Sequence, residues 1–499
     1  MKKFNCRWFY LLMFLPLLFS CNESDTWINH YEQTAQERTD LRLADFIESQ
    51  EDLSRFSQML QITGYDTLLN ASQSFTVWAP QNSALEGIDM DNMDKVKEIV
   101  RNHIAHFVIG SSGLQSKRIF MIDAKFINFT STNGSLTFGN KNVVRSDILA
   151  NNGILHVIDG YVPYINNIWE HIISADGIDS LSNFMESLVT FTDDGPPVFD
   201  STFANSNGIL NVIGEFVNED SLYTVLLPDN QAWISAENYM KGFYKVLPDE
   251  GGSSQQTKYI RNNIIQNMVF RDKILVPSEF DSIITTTGNV FHDPTTIFEG
   301  ASFTELSNGW AYITDSLKYK PSEAFLKEIR VEAENPDTRT LYQSTVSQRS
   351  SAGTGFNLSG DKYILVNPST ARNITGVIFK IPNTLSAKYK MYCVFAPLAV
   401  TGSTDTTVAT LQFALYYNDV KTPDPVVYRN YVTSPHEVDT MYIADFEFPY
   451  SNIIDEEEGE TVENNTTVSL WVVNMNTKET TKLTRRMCID CIILEPVVE

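Results

Sequence analysis

Seven histidines, one C-x-x-C and 62 acidic residues are the groups in this 499-residue chain that could do chemistry. The histidines are His30, His103, His106, His156, His171, His292 and His436. None stands in H-E-x-x-H or at zinc-ligand spacing with cysteine. His103 and His106 are three apart on an expected helix, where they can share a face; a buried or capping role is the simpler reading of both. There is no G-x-S-x-G elbow, no P-loop and no G-x-G-x-x-G after a strand. Carboxylate pairs for glycoside hydrolysis are defined in space rather than along the chain, so none is picked out. No catalytic residue is assigned, and the chain is expected not to be an enzyme. Cys488 and Cys491 would suggest redox chemistry in a cytosolic βαβ setting. Here they fall on an expected closing strand, where residues three apart face opposite ways, so a bridge between them would be strained. Buried free thiols, or a bridge from Cys393 to one of the pair, are the two readings. Sugar binding asks for aromatic platforms on loops with polar neighbours. Trp471, Tyr416, Tyr417, Tyr428, Tyr431 and Tyr450 are available, but most aromatics of a β-sandwich lie in its core, and the ligand-binding set is left unassigned.

The elements that position these groups follow from composition and repeats. At roughly 100–200 residues per domain the length suggests about three domains. Hydrophobic residues make up 42% and charged residues 20%, which are ordinary globular values. The net charge of -25 disfavours nucleic-acid binding and adsorption to an anionic membrane. Five cysteines in such a length cannot form a disulfide framework.

Lys2, Lys3 and Arg7 form a positive segment ahead of an apolar run from Phe9 to Phe19. That run is too short for a bilayer span of about 20 helical residues and has the proportions of a secretory leader. Leu18-Phe19-Ser20-Cys21 resembles a bacterial lipobox, although Phe19 departs from the usual small or aliphatic residue. The resemblance implies cleavage after residue 20, lipidation of Cys21 and an outer-membrane lipid anchor, with residues 21–38 as tether. A plain leader with an incidental cysteine is the other reading. Asn22, Glu23, Ser24 and Asp25 resemble the export signal of surface lipoproteins associated with Sus-like nutrient-uptake systems, which implies display at the cell surface.

Three landmarks recur in order. Residues 74–85, S-F-T-V-W-A-P-Q-N-S-A-L, match 222–233, L-Y-T-V-L-L-P-D-N-Q-A-W. In each, Pro80 or Pro228 ends a strand, and Asn82 or Asn230 is a good helix cap. Residues 100–109 pair with 260–269, and N-G-I-L-H-V-I-D at 152–159 pairs with N-G-W-A-Y-I-T-D at 308–315. These blocks resemble fasciclin (FAS1) domains. The family's Tyr-His pair is Ala105-His106 in the first copy and Ile265-Gln266 in the second, and Tyr312 replaces the second-block His. Apolar residues from Leu43 to Leu69 at helical spacing fit the family's opening helices. The resemblance implies two α+β FAS1 domains, at 39–172 and 173–326.

Residues 327–499 show period-2 patterning, as in Leu411, Phe413 and Leu415, in Tyr442, Ala444, Phe446 and Phe448, and in Val468, Leu470 and Val472. This argues for an antiparallel β-sandwich. Its E-A-E opening at 332–334 and I-D-C-I closing strand at 489–492 resemble the galactose-binding-like jelly roll of carbohydrate-binding modules of the family 6/35 type. In that family these positions hold a structural Ca²⁺, which implies Glu332, Glu334 and Asp490 as ligands; exposed edge-strand charge is the alternative. The acidic run 455–460 reads as a solvated loop. The expected function is a non-catalytic surface lipoprotein that binds a polysaccharide or oligosaccharide, or assists its capture, beside a Sus-like transporter complex. The alternative is an adhesion or scaffold protein that uses its fasciclin domains for protein contacts.

Overall fold

The computed structural model describes residues 38–191, 203–205, 212–370, 374–417, 425–454 and 459–497. The leader, Cys6, Cys21 with the acidic residues after it, His30, and residues 455–458 of the acidic run lie outside the described residues. The chain divides into two compact units, Met1–Ile165 and Asn166–Glu499. No described helix is long and apolar enough to cross a membrane.

In the first unit the helical spacing becomes the helices Leu43–Glu48, Ser54–Thr63 and Tyr65–Leu69, with Leu43, Ile47, Phe56, Met59 and Leu60 buried. Gly64, at φ 77, ends one helix and starts the next. The seven-stranded sheet runs in the order Ile104–His106, Phe75–Pro80, Gly153–Ile158, Lys141–Ala150, Ser135–Phe138, Phe126–Thr132, Ser116–Phe120. Its central strands Phe75–Pro80 and Gly153–Ile158 are parallel and buried along their whole length, as parallel strands usually are. Gly153 is required there, because a Cβ would lie 2.0 Å from the Phe75 carbonyl oxygen. Asn152 fastens the helices to this pair. Its Oδ1 accepts from Leu43 N at 2.9 Å, and its Nδ2 donates to the Leu69 carbonyl at 2.6 Å.

The second unit opens on the same frame. Tyr223–Pro228 and Gly309–Thr314 are parallel, flanked by Val269–Phe270 and Ser302–Leu306. The sequence placed the start of this copy at 173, but the division falls after Ile165. The reason is the helix Ile168–Ser174: Asn308 Oδ1 accepts from Ile168 N at 2.8 Å, and Ile168 and Ile172 are buried in this unit's core. Strand pairing also corrects the alignment of the copies. Thr76 pairs with Ala105 and Thr224 with Phe270, so Phe270-Arg271, rather than Ile265-Gln266, corresponds to Ala105-His106. Residues 265 and 266 belong to the long helix Gly252–Gln266. Asn82 and Asn230 cap helices other than those they precede. Asn82 Oδ1 accepts from Arg55 N at 2.9 Å and Asn230 Oδ1 from Ser180 N at 2.8 Å. The helix Asn230–Met240 is capped by Asp229, which accepts from Ala232 N at 2.7 Å.

The rest of this unit is two antiparallel sheets. One runs Ser344–Ser350, Lys362–Pro368, Met487–Pro496, Lys388–Ala396, Asp439–Glu447, with Ile329–Glu332 also paired to Met487–Pro496. The other runs Arg339–Tyr342, Thr375–Lys380, Ser469–Asn474, Thr410–Tyr416, Val426–Val432. Leu411, Phe413, Leu415, Val468, Leu470 and Val472 are buried as the alternation required. Tyr442 is not: it is exposed while Met441 and Ile443 are buried. The register shift between Met391 and Tyr392 changes the phase of that strand, so Ala444, Phe446 and Phe448 turn to the core without Tyr442. Ser386 and Ser451 stitch the sandwich to the frame that opens this unit. Ser386 N donates to the Phe243 carbonyl at 2.8 Å, its hydroxyl accepts from Lys245 N at 3.0 Å, and Ser451 N donates to the Lys245 carbonyl at 2.7 Å. Tyr244 and Leu326 share one apolar cluster with Leu385, Tyr389 and Phe448.

Candidate functional site

The five-stranded sheet turns Val377, Phe379, Leu470 and Val472 to the core. The residues between them face out. Tyr342 pairs with Gly376 and Ile378 pairs with Trp471, so these four share the outer face. Tyr416, paired with Ser469, joins them. A Cβ on Gly376 would lie 2.7 Å from Trp471 Nε1, so only glycine lets the indole settle across the strand there. Tyr342, 37% exposed, meets the indole edge-on, with ring centroids 4.9 Å apart at 70°. Trp471 Nε1 is buried and has no hydrogen-bond partner among the described residues. A fixed indole beside an upright phenol offers an apolar face with a hydrogen-bonding group at its edge. Sequence reading named Trp471 and Tyr416 but missed Tyr342 and Gly376. The alternation of R-T-L-Y could have pointed to Tyr342; nothing local could have marked Gly376. Three other candidates face the core. Tyr431 donates to the Ile443 carbonyl at 2.6 Å, Tyr428 pairs with Phe413, and Tyr417 packs on Phe446 at 4.8 Å. Tyr450 is half-buried.

The second cluster sits where the opening and closing strands of the sandwich meet. Cys393 pairs with Ile492 and Phe395 with Ile489, so Asp490 and Cys491 both stand opposite Val394. This bulge turns two consecutive side chains to one side. Glu332, Asp490 and Cys491 place one ligand atom each within 4.8 Å of the others. Ser359 ties the carboxylates together: its hydroxyl donates to Glu332 Oε1 at 2.6 Å, and its N–H donates to both Asp490 oxygens at 3.1 and 3.2 Å. Oε2 of Glu332 and Oε2 of Glu334 are buried without a hydrogen-bond partner among the described residues. Burial, and then the charges of Glu332 and Glu334, push the Asp490 carboxyl up to about 6, against the Ser359 hydrogen bond and Arg330. Buried carboxylate oxygens without donors fit a hard divalent cation such as Ca²⁺. Cys491 is the departure from an all-oxygen set. Its thiol accepts from Arg330 Nη1 at 3.4 Å, and burial pushes it up to about 12.

The same bulge overturns the expected opposition of the two cysteines. Cys488 packs in the small cluster of Leu365, Ala396 and Leu398, outside the main core. With the phase shifted at Asp490–Cys491, it lies on the same side of the strand as Cys491. Cys393, Cys488 and Cys491 are all buried free thiols.

The histidines divide by burial. The helix Met93–Arg101 ends before His103, and His106 belongs to the strand Ile104–His106, so the two do not share a helix face. His103 is buried, with Nδ1 donating to the Ile99 carbonyl at 2.6 Å and Nε2 accepting from Val162 N at 2.9 Å. Burial lowers its pKa to about 4. His156 is also buried: Nε2 donates to the Ile109 carbonyl at 2.9 Å, and Nδ1 accepts from Asp147 N at 3.2 Å. Burial lowers its pKa as well. Both act as bolts between segments.

Residues 51–162 match the model of the fasciclin domain. Protein sll1483 from Synechocystis is 28% identical over 100 residues, which is 18% of this chain and 56% of that protein. Human periostin is 27% identical over 126 residues, 23% of this chain and 15% of periostin. Mouse stabilin-2 is 22% identical over 233 residues, 43% of this chain and 8% of stabilin-2. The chain thus spans about half the length of the first relative and less of the others. Among solved structures, a FAS1 domain pair from the insect cell adhesion molecule Fasciclin I aligns at 14% identity and TM-score 0.22, covering 55% of this chain and 98% of that one. A family 35 carbohydrate-binding module from Clostridium thermocellum aligns at 10% identity and TM-score 0.19, covering 34% of this chain and 99% of that one. The chain carries a fasciclin domain within a multidomain, sheet-rich architecture.

Proposed function

We propose that this chain is a non-catalytic, lipid-anchored surface protein of an outer membrane that holds glycan on its sandwich, as an accessory to a Sus-like uptake system. The observation that carries the reading is Trp471 laid across Gly376 with Tyr342 upright beside it. The platform is organised before any ligand arrives, because the two rings already sit in the edge-to-face geometry that aromatic pairs prefer. Glu332, Glu334 and Asp490 would hold a Ca²⁺ that supplies the positive charge their buried oxygens lack. Its role is to lock the opening strand onto the closing strand rather than to touch sugar. The lipobox-like Leu18-Phe19-Ser20-Cys21 supports the anchor through Cys21. Affinity electrophoresis on a polysaccharide panel tests the glycan reading: at least one polysaccharide should retard the protein and not its Trp471→Ala variant. Silence on every polysaccharide from a folded protein would sink it. Detergent-phase partition of the wild type against Cys21→Ser tests the anchor.

Adhesion is the second reading. The fasciclin match at 51–162 favours it, as does Phe107, 78% exposed in a left-handed backbone conformation at φ 71. Cross-linking on intact cells separates the two. A transporter subunit among the products supports the accessory role, and a matrix or host protein supports adhesion.

A further inference from the structure

A cavity of about 210 Å³ opens on the fasciclin-like copy of the second unit, lined by none of the groups of the two sandwich clusters. One wall is a face of the helix Asn230–Met240, on which Ala232 and Ala236 leave a trough between Ser235 and Tyr239. The other wall is the segment 316–325, with Ser316, Leu317, Tyr319 and Phe325. The second wall is braced. The Thr314 hydroxyl donates to the Ser316 carbonyl at 2.9 Å and accepts from Ser316 N at 3.3 Å. The Tyr319 ring stacks on Phe291 at 5.1 Å and 5°. Phe325 is packed by Phe243 at 5.4 Å and Tyr244 at 5.9 Å. A wall held in this way is pre-formed, as small-molecule sites usually are.

The chemistry of the lining narrows the ligand. No charged side chain among the described residues lines the cavity, although the chain carries 62 acidic residues. Charges on the neighbouring turns are engaged: Glu237 accepts from Trp233 Nε1 at 3.0 Å and Arg261 Nε at 2.6 Å, and Lys320 pairs with Glu323 at 3.6 Å. The polar lining consists of hydroxyls, on Ser235, Ser316, Tyr239 and Tyr319. The Tyr319 hydroxyl is buried and has no hydrogen-bond partner among the described residues. A buried hydroxyl without a partner asks for one. A dry cavity of about 150 Å³ takes benzene, so the present volume holds one six-membered ring with substituents and no more.

We propose that this cavity binds a single uncharged pyranose residue, with a C–H face against Tyr239 and Phe325 and hydroxyls toward Ser235, Ser316 and Tyr319. The site is separate from the Trp471 platform and does not depend on it. Saturation-transfer NMR on the full chain carrying Trp471→Ala, which removes the proposed platform and leaves the cavity as the site read out, with the methyl glycosides of glucose, galactose, mannose and N-acetylglucosamine at millimolar concentration, tests it. Methyl galacturonate and p-cresol serve as charged and aromatic controls. At least one neutral glycoside should receive saturation. Tyr319→Phe, which keeps the ring and removes the hydroxyl, should weaken that glycoside about tenfold, and Ala236→Trp, which fills the trough, should abolish it. The proposal is overturned if no neutral glycoside responds, or if the signal survives Ala236→Trp in a protein that keeps the melting temperature of its parent. Response to p-cresol alone would make the cavity a socket for an aromatic side chain and would overturn it too.

Discussion

The fasciclin domain of the first unit and the strand frame that opens the second hold the same arrangement with different side chains. Asn152 and Asn308 play the same part in both. Each accepts from the first turn of an opening helix and donates to a carbonyl from that helical layer or the segment after it. Thr76 and Thr224 are a second matched pair. Each hydroxyl donates to a carbonyl at 2.7 Å, that of Phe107 or Asp272, and accepts from the N–H two residues on, Ile109 or Ile274. The held loop is then bolted again from the next strand. In the first copy the bolt is His156 to the Ile109 carbonyl at 2.9 Å; in the second it is Tyr312 to the Ile274 carbonyl at 2.8 Å. What the copies preserve is a hydrogen-bond destination, and the donor that reaches it is free to change. The second-block histidine is thus interchangeable with a phenol, which argues that its role is structural.

The largest effect should come from the glycine after each asparagine. Ala at Gly153 would bring Cβ to 2.0 Å from the Phe75 carbonyl oxygen, and at Gly309 to 2.2 Å from that of Tyr223. The obstruction is backbone in both, so neither can relax cheaply. Each substitution should cost about 4 kcal/mol or more. The copies differ in what falls with them. The second copy shares its apolar cluster with the sandwich, so Gly309→Ala should lower the melting of the whole second unit in calorimetry. Gly153→Ala should lower only the first unit's transition. A sandwich that melts unchanged in Gly309→Ala would break the claim of a shared core.

Acid should separate the copies next. His103, whose place in the second copy is taken by Met268, is buried and has its pKa lowered by burial to about 4. A histidine with a depressed pKa is neutral in the fold and takes up its proton more readily when unfolded. Its contribution is therefore complete above the unfolded value of about 6.5 and is lost as pH falls toward 4, by roughly 3 kcal/mol. Asp123, pushed up to about 6 mainly by burial, acts in the opposite direction over part of that range. The informative measurement is therefore the difference between wild type and His103→Gln, whose amide can keep both hydrogen bonds. Denaturant titrations at pH 7 and pH 4.5 should show the variant losing less stability than the wild type. Equal losses would remove His103 as the acid-sensitive bolt.

The bolts themselves come third. His156→Phe removes a donor to Ile109 and an acceptor from Asp147, and leaves both backbone groups without partners. It should cost about 3 kcal/mol, since each unsatisfied buried group costs roughly 1–3 kcal/mol. Tyr312→Phe removes one hydroxyl and should cost about 1 kcal/mol. Reversal of that order would mean that ring packing, such as the 5.4 Å stack of His156 on Trp78, outweighs the hydrogen bonds.

Much of this frame was legible in the chain. T-V-x-x-P, N-G and the 3.6-residue spacing of Leu43–Leu69 are local signals, and each marks an element that exists. The alignment of Ala105-His106 with Ile265-Gln266 failed because R-N at 101 and 261 looks alike in a helix of any length; only the pairing with Thr76 and Thr224 fixes the register. The capping roles of Asn82 and Asn230 were misdirected for a related reason: the sequence shows which residue can cap, but the helix it reaches comes from another part of the fold. The carboxylates Glu332, Glu334 and Asp490 were named together because the opening and closing strands announce themselves, and Glu332 and Asp490 do meet. Cys491 was missed as their neighbour, since a bulge is a departure from the very alternation used to place side chains. The aromatic platform needed Gly376, whose significance lies across the strand in Trp471.

The smallest effect concerns the loop that each threonine holds. In the first copy its tip is Phe107, at φ 71 and 78% exposed, followed by Val108 at 54% exposed. Its counterpart in the second copy is Asp272, which is not among the residues of positive φ, followed by Lys273. Left-handed backbone costs a residue with a Cβ roughly 1–2 kcal/mol, and glycine avoids that cost while losing more entropy on folding, up to about 1 kcal/mol. Phe107→Gly should therefore stabilise the first unit by about 0.5 kcal/mol, while Asp272→Gly in the second should destabilise by a similar amount. Differential scanning calorimetry of the two variants reads the signs directly. A stabilised Phe107→Gly that has also lost cross-linking to an adhesion partner would mean that the exposed phenylalanine is kept for binding at the expense of stability. A destabilised one would mean that Phe107 packs on its own domain more than its exposure indicates.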